Sequence, residues 1–328
     1  MLTKKQNLLE TIRGGNPDRF VNQYEFMELI FEVPSDIKRV RGTKFKDGWG
    51  VTRQWPEDQL GAFPLHDDEH KVLKDITQWK KVVNAPAIIT SDEEWAPAVA
   101  HAKAIDRNEK YAAVIVGPGV FEMTHMLMGM EDALMALYEE PEAMHELIDY
   151  ITEYELRYAQ VIIDRLHPNL LLHHDDWGSQ KNSFVSPEMF EEFFVPAYKK
   201  IYSFYKANGV ELIVHHSDSY AANLIPSMIE IGIDIWQGVM KTNNIPEIIK
   251  EYGGKISFMG GLHSGEVDYP TWTPENCAKH VEEVCRNYGK HYFIPCLTSG
   301  LPMSSFPGVY DVVTEEIDRM SKELLENI

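Results

Sequence analysis

Basic residues are scarce in this 328-residue chain: 31 lysines and arginines stand against 51 aspartates and glutamates, a formal net charge of −20. Such a surface repels a phosphate backbone, which excludes nucleic acid as a partner. No Lys/Arg cluster stands out that could build a local pocket for a substrate with many carboxylates, and the plain reading of the acidity is solubility. Long apolar runs are missing as well. The N-terminus, Met1-Leu2-Thr3-Lys4-Lys5-Gln6, leads into an amphipathic helix and not into a signal peptide, and no run of about 18 apolar residues is present to span a membrane. Cysteine is limited to Cys277, Cys285 and Cys296. An odd, sparse set fits a reducing compartment and argues against a disulfide framework, so the expected location is the cytoplasm. No C-x-x-C pair exists to hold a structural zinc. Neither G-x-G-x-x-G nor G-x-x-x-x-G-K-[ST] occurs, as an open nucleotide-binding sheet would require. There is no low-complexity tract, fixed-period repeat or linker, so residues 1–328 are read as one domain.

What recurs is a short apolar run, a polar tip and then a longer helical pattern. The runs are Ala112–Val116, Leu170–Leu172, Glu211–Val214, Ile233–Trp236, Lys255–Met259 and Tyr292–Ile294. Ser186-Pro187-Glu188 and Thr273-Pro274-Glu275 each set a capping hydroxyl before a proline at the first helical position. Gly209 and Gly289 follow as left-handed C-terminal caps. Strands alternating with helices imply a parallel sheet with helices outside, and six such units in this length favour a closed (β/α)8 TIM-type barrel, with room for distortion. The stretch from about 39 to 87 fits the rhythm poorly. With Trp49, Trp55, Pro56 and Pro64 it reads as an N-terminal insertion over one end of the barrel, containing two short extended pieces.

Barrel enzymes carry their chemistry at the C-terminal ends of the strands. Here those tips read Gly117-Pro118-Gly119, His173-His174-Asp175-Asp176-Trp177, His215-His216-Ser217-Asp218, Gln237, Gly260-Gly261-Leu262-His263 and Pro295-Cys296. His216, Asp218 and Cys296 suit a zinc ion. A His and a carboxylate two apart leave a strand on the same side, and three protein ligands with an open position mark a catalytic zinc. A His pair at a strand end is equally what a hydrogen-bonded buried pair looks like, and a lone Cys is often a small core residue. A register shift of one would put His215 in place of His216. Cys277 and Cys285 fall on one apolar stripe with Val281, Val284 and Tyr288 and belong to the core. Met123, Met126, Met128, Met130 and Met135 are core, or a deformable wall for a flat apolar ligand. Phe121 and Trp177, beside the tips, are the better candidates for stacking on an aromatic substrate or a corrin face.

Several of these segments resemble a known superfamily. Gly117-Pro118 and the stretch to Glu142, then Asp175-Asp176-Trp177-Gly178-Ser179-Gln180 followed by Ser186-Pro187 and Phe193–Lys200, resemble motifs of the uroporphyrinogen-decarboxylase-like superfamily. Asp47-Gly48-Trp49-Gly50-Val51 resembles an element of its methyltransferase-like members. The likeness runs in order over nearly the whole chain. The true decarboxylases hold porphyrin carboxylates with arginines of an N-terminal element, whereas the corresponding Tyr24-Glu25-Phe26-Met27 has none. The methyltransferase branch binds zinc through H-x-C and a later Cys. That likeness places His216 and Cys296 on two of its ligands and Asp218 on the third, with His263 or Glu266 as substitutes.

The resemblance therefore implies a zinc-dependent methyltransferase that moves a methyl group from a methoxylated, aromatic ether substrate to a Co(I) corrinoid. No D-x-H-x-x-G element is present to hold cobalamin, so the corrinoid is expected on a separate partner protein. The expected roles are substrate orientation or proton exchange for Asp176 with His174, and substrate contact for Tyr24, Phe121, Trp177, Gln237 and His263. Three other readings stay open. They are methyl transfer from methylcobalamin to a thiol, metal-free decarboxylation of a smaller acid, and non-catalytic binding of a corrinoid or tetrapyrrole. A homodimer is the candidate assembly.

Overall fold

The computed structural model describes residues 1–325 except 36, 38 and 60. Its strands are β1 (Met27–Leu29), β2 (Lys44–Lys46), β3 (Thr52–Gln54), β4 (Phe63–Pro64), β5 (Tyr111–Val116), β6 (Leu170–His174), β7 (Leu212–His216), β8 (Ile235–Val239), β9 (Ser257–Leu262) and β10 (Phe293–Leu297). Seven form one curled parallel sheet in the order β1-β5-β6-β7-β8-β9-β10, a distorted TIM-type barrel. All six strands expected from apolar runs are present. The seventh, β1, is too short and too polar at Glu28 to show as a run.

The sheet's two edges are bridged by Gln23. Its N–H donates to the Pro295 carbonyl at 3.3 Å, and its side-chain oxygen accepts from the Leu297 N–H at 3.3 Å. Residues of alternating parity sort the core into two layers, as the period-two geometry of strands requires. Leu170, Leu172, Leu212, Val214, Ile235, Met259, Ile294 and Cys296 fill the barrel interior. Leu171, Ile213, Trp236, Phe258 and Phe293 face the surrounding helices. Cys277 and Cys285 are unpaired and buried in that outer layer.

The predicted helix starts hold: Ser186 and Thr273 accept from Met189 and Asn276 N–H groups, satisfying donors the first turn leaves open. The segment after Ser186 is two helices, Pro187–Phe193 and Val195–Ala207, because Pro196 has no N–H to continue the first.

The insertion folds as an antiparallel sheet in the order β2-β3-β4, one strand more than expected. Its Asp47–Val51 turn is tied by the Asp47 carboxylate, which accepts from Trp49 and Val51 N–H at 3.0 Å each. Trp49 then sets its ring edge-on to Tyr154, 5.0 Å away, on the Pro141–Leu166 helix. A second anchor lies on the Val120–Met128 helix that follows β5: Leu73 N–H donates to Leu127 O at 2.9 Å and Arg53 Nη2 to Met126 Sδ at 3.1 Å. Of the methionine stretch, Met123, Met126 and Met128 are core, while Met135 is exposed. Among the described residues no helix is long and apolar enough to cross a membrane.

Candidate metal centre

Strand parity decides which tip residues meet. In β6 and β7, His174 is registered opposite His216 and His173 opposite His215. Val214 and Leu172 face the interior, so His216 and His174, two residues on, face it too. The other pair points outward into the helices. The rings of His174 and His216 lie 4.5 Å apart. Asp176 joins them from the loop after β6, its Oδ1 3.8 Å from His216 Nε2. Ligand atoms of His174, Asp176 and His216 all lie within 4.8 Å of one another, which makes the three a group able to hold a metal ion.

Each member has a partner that fixes its orientation. His174 Nδ1 meets a Glu122 carboxylate oxygen at 3.0 Å. His216 Nδ1 meets the Gln237 side-chain oxygen, and the Gln237 amide donates onward to the Leu297 carbonyl at 3.1 Å. An amide oxygen only accepts, so His216 carries its proton on Nδ1 and turns the Nε2 lone pair toward Asp176. Hydrogen bonds of this kind on the far ring nitrogen are how proteins set the tautomer of a ligating histidine. Asp176 accepts from the Asp218 N–H at 3.0 Å. Gly300 covers the His216 ring so closely that an added Cβ would lie 3.0 Å from three of its carbons.

The electrostatics divide the two histidines. Burial and the neighbouring His174 pull His216 down to about 4, against the opposing effect of Asp176. For His174 burial also acts downward, but the Glu122 carboxylate outweighs it, helped by Asp176 and Asp175, and raises the imidazole to about 10. Surrounding protein and the Asp176 charge push the Asp218 carboxyl up to about 7, although it sits exposed at the mouth.

Asp218 and Cys296, expected as ligands, stand outside the converging group. Cys296 lies on β10, three strands from β7. Burial raises its thiol well above the ordinary range, opposed by a hydrogen bond from the same Gln237 that holds His216. Gln237 thus lies between the two expected ligands. His215 faces the helices with both nitrogens engaged, by Tyr202 Oη at 2.7 Å and the Asp175 carbonyl at 3.1 Å. Glu266 is paired with Lys241. His263 is partly buried beside it, with Nδ1 unpartnered.

The expected substrate contacts also separate. Trp177 is fully buried, stacked on His215 at 3.9 Å, with Nε1 donating to Tyr198 Oη at 3.2 Å; it offers no face to a ligand. Tyr24 donates to the Ser299 carbonyl at 3.0 Å. It also lines a groove of about 810 Å³ with Arg19, Phe31, Tyr310 and Thr314, in which none of the three centre residues takes part. Phe121 is buried as well, packed against Phe184 and Phe194 with ring centroids 5.9 and 5.3 Å away.

Two features escaped the sequence. Glu122 lies in a helix, where a lone carboxylate carries no signal of its own. The outward residues form a buried chain: Glu155–His173 at 3.2 Å, His173–Tyr202 at 3.1 Å, Tyr202–His215 at 2.7 Å and His215–Asp175 O at 3.1 Å. The Asp175 carboxylate accepts from the Phe121 and Glu122 N–H groups at 3.0 and 2.8 Å, tying the β6 tip to the helix that carries Glu122.

The uroporphyrinogen decarboxylase (URO-D) family model matches residues 70–320. The chain belongs to the URO-D family. No curated protein sequence matches it significantly. Among solved structures, a methyltransferase from Methanosarcina mazei superposes with a TM-score of 0.65 at 13% identity, covering 97% of this chain and 99% of that one. At that identity the likeness speaks for the fold alone. A D-allulose 3-epimerase from Methylomonas sp. reaches only 0.37 at 10% identity, covering 72% of this chain and 94% of the epimerase.

Proposed function

We propose that this URO-D family member is a zinc-dependent methyltransferase that takes the methyl group of a methoxylated aromatic ether and passes it to a Co(I) corrinoid on a partner protein. The observation that carries the reading is the convergence of His174, Asp176 and His216 at the barrel mouth, each histidine steadied at its second nitrogen. The likeness to the Methanosarcina mazei methyltransferase over nearly the full length of both chains supports it.

The donor set fits a divalent ion: two imidazoles and one carboxylate, with room for a substrate ligand. His216 Nε2, His174 Nε2 and an Asp176 oxygen would hold it. When bound, zinc supplies a Lewis acid that draws electron density from the ether oxygen. His216 presents a lone pair to that position because Gln237 keeps its proton on Nδ1. His174 does the same with Nδ1–H on Glu122 once its Nε2 proton has left, so loading releases a proton. Asp176 is held in place by the Asp218 N–H. In the transfer the methyl–oxygen bond breaks, its electron pair stays on oxygen, and the methyl group goes to the corrinoid cobalt. Asp218, exposed at the mouth and bonded through its N–H to Asp176, would give the leaving oxygen its proton.

The test is elemental analysis of the purified protein, followed by 2-methoxyphenol with chemically reduced Co(I) cobalamin as acceptor. Near-stoichiometric zinc and formation of methylcobalamin are expected. A folded wild type without metal overturns the reading and favours a metal-free decarboxylase.

A further inference from the structure

The helix that carries Glu122 begins without a cap of its own. Its N-cap residue is Gly119, extended as a capping position requires but with no side chain to accept from the first turn. The missing acceptor comes from the neighbouring strand tip. Asp175 Oδ1 accepts from the Glu122 N–H at 2.8 Å and Asp175 Oδ2 from the Phe121 N–H at 3.0 Å. The same contact explains the glycine, since a Cβ at 119 would lie 2.5 Å from Asp175 Oδ2. Tyr198 Oη accepts from Trp177 Nε1–H at 3.2 Å and from Phe121 N–H at 3.1 Å, so its single proton goes to Asp175. Both Asp175 oxygens are therefore acceptors, and the side chain is fully buried. Its backbone is engaged too: the N–H donates to the His216 carbonyl at 3.1 Å, and the carbonyl accepts from His215 Nε2 at 3.1 Å. Asp175 stands between His174 and Asp176 in the chain, yet takes no place in the converging group.

We propose that Asp175 is a positioning residue of the candidate centre: by capping the helix from the β6 tip it holds the Glu122 carboxylate on His174 Nδ1. The inference deepens the proposed function and rests on its placing of His174 Nε2 on the ion. Glu122 is the third residue of its helix. Asp175 fixes its N–H, and its side chain meets His174 Nδ1 at 3.0 Å. A helix start left uncapped frays within its first turn, and that turn contains Glu122. Because side chains alternate along an extended chain, adjacent residues serve the two tasks on opposite sides, His174 toward the interior and Asp175 toward the helix. The cap and the ligand are thereby indexed to one strand tip, and Asp175 acts on the ion only through Glu122 and His174.

The experiment uses the full chain as wild type, Asp175→Asn, Glu122→Ala and the double variant. Zinc affinity is read by competition with a chromophoric chelator, and the histidine rings of the metal-free protein by 1H–15N spectra. Asparagine keeps the shape of Asp175 but offers one acceptor where the site needs two, so in either orientation its NH2 faces a backbone N–H. Asp175→Asn should weaken zinc binding by about 10–100-fold and lose the His174 Nδ1–H resonance that Glu122 protects in wild type. In the Glu122→Ala background the same substitution should change zinc affinity by less than about threefold, because the group it acts through is gone. Its effect on melting temperature should persist in both backgrounds. Moving the cap into the helix itself, with Asp175→Gly and Gly119→Ser together, should recover affinity lost in Asp175→Gly alone; this pair carries the test if Asp175→Asn does not fold, and a folded pair with no recovery counts against the cap. Wild-type zinc affinity in Asp175→Asn, or equal losses in the two backgrounds, would overturn the positioning role. A wild type that takes up no zinc removes the methyltransferase reading instead. The spectra then decide alone: a His174 Nδ1–H signal lost in Asp175→Asn sustains the role, and one retained overturns it.

Discussion

Tyr202→Phe removes one oxygen from a site where every proton can be assigned. His215 Nε2 faces a carbonyl and must donate, which leaves Nδ1 as an acceptor if the ring is neutral, and burial keeps it so by lowering its pKa well below the usual value. The Tyr202 hydroxyl therefore donates to His215, at 2.7 Å, and must accept from His173 Nδ1–H, at 3.1 Å. His173 and Glu155 share the remaining proton at 3.2 Å. Phenylalanine preserves the ring and its packing but strands one buried donor and one buried acceptor. The imidazole centroids are 5.8 Å apart, too far for the two nitrogens to meet without moving strands β6 and β7. At about 1–3 kcal/mol for each stranded group, the expected loss is about 2–6 kcal/mol. With an unfolding entropy of about 2.1 cal/mol/K per residue over the chain, that corresponds to a fall in Tm of about 3–9 °C. Urea titration followed by tryptophan fluorescence, with the m-value unchanged, measures it directly. The His173→Phe and Tyr202→Phe losses should be strongly non-additive in the double variant, because both remove the same bond. A Tyr202→Phe protein within about 0.5 kcal/mol of wild type, a change typical of neutral surface substitutions, would refute the proton assignment.

Metal content separates the two donor sets: His174→Ala, Asp176→Asn and His216→Ala should each lose zinc on dialysis, while Cys296→Ser should keep it, as elemental analysis would show. Gln237→Leu should retain the ligands yet weaken zinc binding by roughly 10–100-fold in a chelator competition, because the His216 tautomer is no longer set. Stability should fall on acidification through His125. Its pKa is lowered to about 4 in the fold against about 6.5 unfolded, so between those values the unfolded chain binds a proton that the native chain does not. The loss from pH 7 to pH 5 is about 2 kcal/mol, and His125→Leu should flatten that limb of a Tm-versus-pH curve. Gly238→Ala should cost more than about 2 kcal/mol, since Gly238 has φ +95° and a Cβ there would lie 2.8 Å from the Ser217 carbonyl; denaturant unfolding would show it.

The barrel was legible because its strands are buried on both faces and read as apolar runs, and because Ser186 and Thr273 mark helix starts with side chains that do cap them. Strand β1 was not, since three residues with a central Glu28 give no periodic signal. At the site, the polar tips were visible as a class, but the expected ligand set took two members, His216 and Asp218, from one strand end and Cys296 from a later strand. His216 and Asp218 looked paired because they are two apart. The structure instead pairs His216 with His174 across the β6–β7 register, and fills the path to Cys296 with Gln237.

The sequence by itself determined the barrel, its insertion and the concentration of histidines and carboxylates at the strand ends, because those follow from local hydrophobicity and period-two alternation. Only the tertiary structure decided which of two adjacent histidines on each strand faces the interior, that Trp177 is walled in, and that Glu122 stands behind His174. Those outcomes depend on sheet register and on helices packed across long sequence separations. No local pattern encodes them: a shift of one residue exchanges the inward and outward faces while leaving the composition of the tips unchanged.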